Sequence, residues 1–260
     1  MRPRSDLLMN RNMDQEKGKR KMSNDYKMTY DVDLVFCIDA TGSMKGALNM
    51  VKSNALRFHG DLQRRMEEKS KMLNSLRIRV VAFRDYLHDK ENAMLTTDFF
   101  RLPEDNAMFE RAVKSIEPFG GGDDPEDGLE ALAYAIRSKW NRDGSTKKRQ
   151  IIVVWTDAPT HGLGYGAAAP NYPNGMPRSF EELSNWWAQE PEAQGAHMDY
   201  QAERLVLFAP DEPYWKTISD NWENVVHFPS IAGGGCGELD YNEIMETIVN
   251  SVVSNAGNQY

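Results

Sequence analysis

Apolar residues in this chain cluster in two ways: as short near-continuous runs, and as longer stretches repeating every third or fourth position. Val32, Leu34, Val35, Phe36, Cys37 and Ile38 form the first run. Such a run suits a parallel strand covered on both faces. Runs at 77–83, 150–155, 204–209 and 225–228 read as further strands, while 95–102 alternates and suits an antiparallel edge strand. Met44, Ala47, Leu48, Val51, Ala55, Phe58, Leu62 and Met66 mark one face of a single long helix. Shorter helices are predicted over 107–116, from Pro125 to about residue 140, over 179–189, over 213–222 and after Asp240. Pro125 is expected to open its helix, with an aspartate before it as cap. Strands alternating with helices predict an α/β fold, doubly wound and Rossmann-like, with a mainly parallel sheet and right-handed crossovers.

Composition narrows this picture. Hydrophobic content of 40% supports a full core, and a formal net charge of −8 points away from nucleic acid. No stretch is long and apolar enough to cross a membrane, and no apolar leader opens the chain. Cys37 and Cys236 lack metal-ligand spacing, as expected for a reducing compartment, so a cytoplasmic location is the default. Residues 1–28 are polar and aperiodic and read as a mobile tail, with 29–260 forming a single domain. The basic stretch Lys17-Gly18-Lys19-Arg20-Lys21 reads as part of that solvated tail.

The chemistry gathers at strand ends. The first strand runs into Asp39-Ala40-Thr41-Gly42-Ser43, an acid and two hydroxyls at alternate positions. Gly120-Gly121-Gly122-Asp123-Asp124 forms a second loop, and Thr156-Asp157 ends another strand. In a parallel sheet the carboxyl ends of such strands share one edge, where open α/β folds bind ligands. Hard oxygen donors select Mg²⁺, with Ca²⁺ or Mn²⁺ as alternatives. A divalent ion is the physical reason to gather carboxylates there, since their mutual repulsion otherwise raises a pKa.

These segments resemble a von Willebrand factor type A (VWA) domain, whose loops form a metal-ion-dependent adhesion site (MIDAS). The likeness covers residues 30–255 in element order. It is nearest the branch associated with alpha-kinases and its bacterial relatives, through Phe83-Arg84-Asp85-Tyr86, Gly120 to Asp127, Thr156 to Gly162 and Tyr172-Pro173-Asn174-Gly175. The resemblance implies a six-stranded sheet with one antiparallel edge strand and helices on both faces. It implies Asp39, Thr41, Ser43, Asp123 and Asp157 as metal ligands, direct or through water. The family's usual second-loop threonine is matched here by Asp123, with Asp124, Glu126 and Asp127 as alternatives. The implied function is a non-catalytic, Mg²⁺-dependent protein-interaction module. It would be an adaptor or regulator whose partner's Asp or Glu completes the coordination, a separately encoded kinase being one such partner.

Plainer roles stand beside these. Thr41, Ser43, Asp123 and Asp124 are all residue types that cap helices. His161 reads as an ordinary loop histidine, with a donor to the ion's outer shell or to a partner's acid as the alternative; Arg84 and Asp85 read as an ion pair bracing the site, and the tryptophans as packing residues, with Trp186-Trp187 as an alternative protein-contact anchor. The competing function is a Mg²⁺-dependent phosphotransferase or phosphatase of haloacid-dehalogenase type with Asp39 as nucleophile. It lacks that chemistry's usual second acid, because Thr41 occupies the place.

Overall fold

The computed structural model describes residues 27–121, 124–237 and 239–255. The tail expected over 1–28 therefore lies outside the described residues except for Lys27 and Met28, and Met28 already opens the first strand. In chain order the elements are β1 (Met28–Asp39), α1 (Lys45–Asn54), α2 (Phe58–Glu68), β2 (Lys71–Phe83) and α3 (Tyr86–Asp89). Next come β3 (Met94–Thr96), β4 (Phe100–Leu102), α4 (Asn106–Lys114), α5 (Gly128–Ile136) and β5 (Lys147–Trp155). The chain closes with α6 (Phe180–Trp186), β6 (Glu203–Ala209), α7 (Trp215–Asn221), β7 (Val225–Pro229) and α8 (Tyr241–Val253). No helix among the described residues is long and apolar enough to cross a membrane.

β1 is central, paired in parallel with β2 on one side and β5 on the other. The sheet order is β3-β2-β1-β5-β6-β7, with β4 also on β2. Alternate side chains of β1 enter two cores. Leu34, Phe36 and Ile38 pack with α1, α2 and α8, while Val35 and Cys37 pack with α5 and α7. Burial on both faces is why the run from Val32 onward is apolar almost throughout.

The sheet has seven strands rather than the expected six. The extra one comes from a break in the predicted 95–102 strand. β3 pairs with residues 81–83 of β2, and β4 pairs with residues 76–78. Between them Thr97 belongs to neither strand. Its Oγ1 accepts from Val80 N at 3.0 Å, and its carbonyl accepts from Arg79 Nε at 2.9 Å. A hydroxyl and a guanidinium thus add to the one backbone bond that remains there, Thr97 N to Val80 O at 3.0 Å.

The helix predicted over 44–66 is two helices. Arg57 N reaches back three residues to Asn54 O at 3.1 Å, and Asn54 Nδ2 donates to Met50 O at 2.7 Å. A tight turn and a side-chain donor compete there with the helical ladder. The apolar face runs on unchanged, so periodicity alone conceals the break. Pro125 does not open α5. Glu126 bridges Thr160 in parallel, which pulls the chain straight, and α5 begins only at Gly128. Trp187 and Trp215 are fully buried, and Trp187 stacks on Trp222 at 5.5 Å between ring centroids, so Trp187 is a packing residue and no surface anchor.

Candidate functional site

The loops after β1, β2 and β5 emerge on one edge of the sheet, as parallel strands require. Asp39 ends β1 and is completely buried. Its Oδ1 accepts from Thr41 N at 2.9 Å and from Thr41 Oγ1 at 2.6 Å. Its Oδ2 accepts from Thr156 Oγ1 at 2.7 Å. Ser43 Oγ lies 3.3 Å from Thr41 Oγ1 and donates to Asp157 Oδ1 at 2.9 Å. The structure therefore brings Asp39, Thr41, Ser43 and Asp157 into one chain of contacts. Gly42 and Ser43 are exposed, so this cluster opens to solvent. Asp157 is also fixed from behind, its Oδ2 accepting from Gly235 N at 2.7 Å. Burial, partly offset by the Thr41 and Thr156 hydrogen bonds, pushes the Asp39 carboxyl up to about 6.

Asp123 lies outside the described residues. Of the alternatives, Asp124 is exposed, whereas Glu126 is buried. Glu126 reaches the first loop across Gly121. A Cβ at Gly121 would sit 3.2 Å from both Glu126 Oε1 and Thr41 Cβ, and its φ of +81° favours glycine in any case. Burial, then the charges of Asp39, Asp89, Asp85 and Asp127, raise Glu126 to about 9. Among the described residues its Oε2 has no hydrogen-bond partner.

Arg84 and Asp85 do not pair with each other as expected. The Arg84 guanidinium donates instead to backbone carbonyls, of Ala40 and Phe119 at 3.0 Å and of Asn92 and Glu117 at 2.6 Å. It thereby ties the first and second loops together. Asp85 Oδ1 caps α3 through Leu87 N and His88 N, and Oδ2 faces His161 Nε2 at 3.1 Å. His161 is thus no ordinary loop residue: it is 7% exposed, stacked on Tyr165 at 3.7 Å. Asp127 joins this second group, its Oδ2 accepting from Tyr86 N at 2.7 Å. Asp85, Asp127 and His161 offer ligand atoms within 4.8 Å of one another, a group that could hold a metal ion.

Sequence reasoning assigned no role to Thr156, Glu126's neighbour Glu130 or Tyr172. Tyr172 donates to Glu130 Oε1 at 2.8 Å, and Gly164 N does so at 2.9 Å. The signal available for Thr156 was its place beside Asp157 at a strand end; for Glu130, a carboxylate on an otherwise apolar helix face.

Comparison with known proteins agrees with this arrangement. A sequence model described as von Willebrand factor A domain matches residues 33–163, just over half of the chain and the stretch that carries the loops after β1, β2 and β5. The alpha-protein kinase vwkA of Dictyostelium discoideum is 29% identical over 175 residues, which are 65% of this chain and 26% of that protein. The chain therefore spans about a quarter of that curated relative's length. Among solved structures, the pilus adhesin SpaC of Lactobacillus rhamnosus GG overlays 86% of this chain and 31% of its own at 11% identity and a TM-score of 0.48. The type V pili tip protein Mfa5 of Porphyromonas gingivalis overlays 51% of this chain and 20% of its own at 20% identity and a TM-score of 0.33. Because that model covers just over half of the chain, this chain belongs to the von Willebrand factor A domain family.

Proposed function

We propose that this domain is a Mg²⁺-dependent protein-interaction module of the MIDAS type, serving as an intracellular adaptor or regulator. The observation that carries the reading is the Asp39–Thr41–Ser43–Asp157 contact chain, made only of hard oxygens and open to solvent at Ser43. That donor chemistry fits Mg²⁺, with Ca²⁺ or Mn²⁺ as substitutes. Thr41, Ser43, Asp39 and Asp157 would hold the ion, Glu126 is the described second-loop acid nearest to them, and Asp123 is the further ligand expected from the family pattern. Bound there, the ion supplies a Lewis-acidic position for a carboxylate. The residues do the rest: Thr156 and Gly235 fix the two aspartates, so little reorganisation remains when a ligand arrives. A partner's Asp or Glu is the ligand of matching chemistry. The likeness to an alpha-protein kinase makes a separately encoded kinase one candidate partner.

The phosphotransfer alternative draws no support from this geometry. Asp39 is completely buried, and hydrogen bonds occupy both its oxygens, which suits a positioning carboxylate better than an attacking one. The test is capture of partners from a lysate of the source cell in Mg²⁺ against chelator, with wild type and Asp39→Ala compared. Mg²⁺-dependent capture, lost in Asp39→Ala while the far-ultraviolet spectrum is kept, supports the reading. Capture indifferent to chelator and to the substitution ends it.

A further inference from the structure

The group formed by Asp85, Asp127 and His161 differs in kind from the Asp39 cluster. It joins the end of β2, the start of α5 and the turn after β5, and all three side chains are buried, at 0%, 0% and 7% exposure. Their ligand atoms lie within 4.8 Å of one another. Asp85 Oδ2 and His161 Nε2 stand 3.1 Å apart, yet neither atom makes a hydrogen bond among the described residues. Two potential ligand atoms this close, with no hydrogen bond assigned between them, are both available to a shared metal ion. Ligand atoms about 2.0–2.2 Å from a tetrahedral zinc ion are roughly 3.3–3.6 Å apart, close to this separation.

The surroundings supply a second observation. Glu130 is 0% exposed, within electrostatic reach of Asp85, and its Oε2 lacks a hydrogen-bond partner. Its other oxygen is held by Tyr172 and Gly164. Asp85, Glu126, Asp127 and Glu130 thus share one buried neighbourhood. The nearby Arg84 guanidinium is taken by four backbone carbonyls. His88 Nδ1 meets Asp85 only at Oδ1, 3.1 Å away; buried carboxylates are expensive unless paired, and a divalent ion is the compact way to offset several at once. The framework is also pre-arranged. Asp85 is held through Oδ1 by α3, Asp127 through Oδ2 by Tyr86 N, and the His161 ring by Tyr165. Backbone bonds from Glu126 N to Pro159 O at 3.1 Å and from His161 N to Glu126 O at 2.9 Å lock the two loops in register.

We propose that Asp85, Asp127 and His161 form a second cation site, which takes a divalent transition metal such as Zn²⁺. The imidazole nitrogen sets the class, because nitrogen ligands favour Zn²⁺ and its neighbours over Mg²⁺ or Ca²⁺. The chain then carries two sites of different taste, a hard one open to solvent and a borderline one that is buried. This site does not depend on the adhesive role of the first.

Co²⁺ is the probe, because its visible absorption reports ligand type. Chelator-stripped full chain is titrated with Co²⁺ in excess Mg²⁺, and metal content is read by mass spectrometry in parallel. One equivalent is expected to bind with a visible band that Zn²⁺ abolishes, and Asp39→Ala keeps it. His161→Ala weakens Co²⁺ binding by more than about 100-fold, since losing even a ligand's outer partner costs about 10–100-fold. If His161→Ala fails to fold, His161→Gln and Asp127→Asn are read in the same way. A band unchanged in a folded His161 variant, a band lost in Asp39→Ala, or no Co²⁺ retained by folded wild type would each overturn the proposal. In the last case Asp85 and His161 are simply an ion pair.

Discussion

Glu126 is the residue whose chemistry most clearly needs a cation. Its ionisation is pushed from the ordinary range to about 9 by burial and by four aspartates. The metal-free folded protein therefore keeps a proton that the unfolded chain releases above about pH 4.5. Stability from this residue is full below that pH and falls as pH rises towards 9, at about 1.4 kcal/mol per unit at most. Glu126→Gln, neutral and nearly isosteric, is expected to stabilise the metal-free protein at pH 7 by about 2 kcal/mol and to flatten its pH dependence. The same change is expected to weaken Mg²⁺ binding about tenfold or more, because a nearby anion is lost. Urea denaturation in chelator at pH 5 and pH 8, beside Mg²⁺ titration calorimetry, checks both halves. A variant less stable than wild type at pH 8 would contradict the assignment. At this scale the sequence revealed Asp39, Thr41, Ser43 and Asp157, because each sits at a strand end whose hydrophobic run fixes its register. It offered His161 and Glu126 only as alternatives, because their meaning lies in distant partners. No local pattern announces that Asp85 faces His161, or that Glu126 lies against Gly121 and Thr41.

Among the elements, the strand-end loops are held by one side chain more than by any helix. Arg84 follows β2 directly and spreads its donors over Ala40, Asn92, Glu117 and Phe119. Its cationic carbon also lies 4.0 Å from the centre of the Phe119 ring. A planar guanidinium suits four acceptors in different directions, and an ammonium on a single point does not. Arg84→Lys is therefore expected to strand buried carbonyls and destabilise the fold by about 2–4 kcal/mol. It should also loosen both loops and lower Mg²⁺ affinity, although Arg84 touches no candidate ligand side chain. Hydrogen exchange of the 40–44 and 117–121 amides reads the loosening directly. If protection there is unchanged while global stability falls, the clamp is only a packing feature. The elements themselves were largely legible, since β1, β2, β5, β6 and β7 carry continuous or alternating apolar runs. What stayed hidden were breaks that leave periodicity intact. The α1–α2 turn keeps the apolar face in phase, and the Thr97 bulge divides β3 from β4 without a proline or glycine to mark it.

Across the whole molecule, Asp39 ends the central strand, and an ion held there as proposed would make stability depend jointly on pH and metal. Burial holds its carboxyl at about 6, well above the unfolded value, so the metal-free fold loses this contribution as pH climbs from about 4 to 6. Over that interval the carboxylate becomes available to attract a cation, so Mg²⁺ affinity rises as intrinsic stability falls. The two trends oppose each other, and saturating Mg²⁺ should offset the loss. A hundredfold excess over Kd contributes about 2.7 kcal/mol, which for a chain of this size raises Tm by roughly 5–10 °C. Thermal scans in Mg²⁺ and in chelator should then nearly coincide at pH 5 and separate by that margin at pH 7.5. Asp39→Asn removes the titrating group while keeping its shape, so its two curves should stay together at every pH. A Mg²⁺ shift of equal size at pH 5 and pH 7.5, or one that survives in Asp39→Asn, would detach the ion from Asp39. The stabilising effect would then belong to another part of the fold, and the edge of the sheet would lose its claim as the place where metal and partner meet.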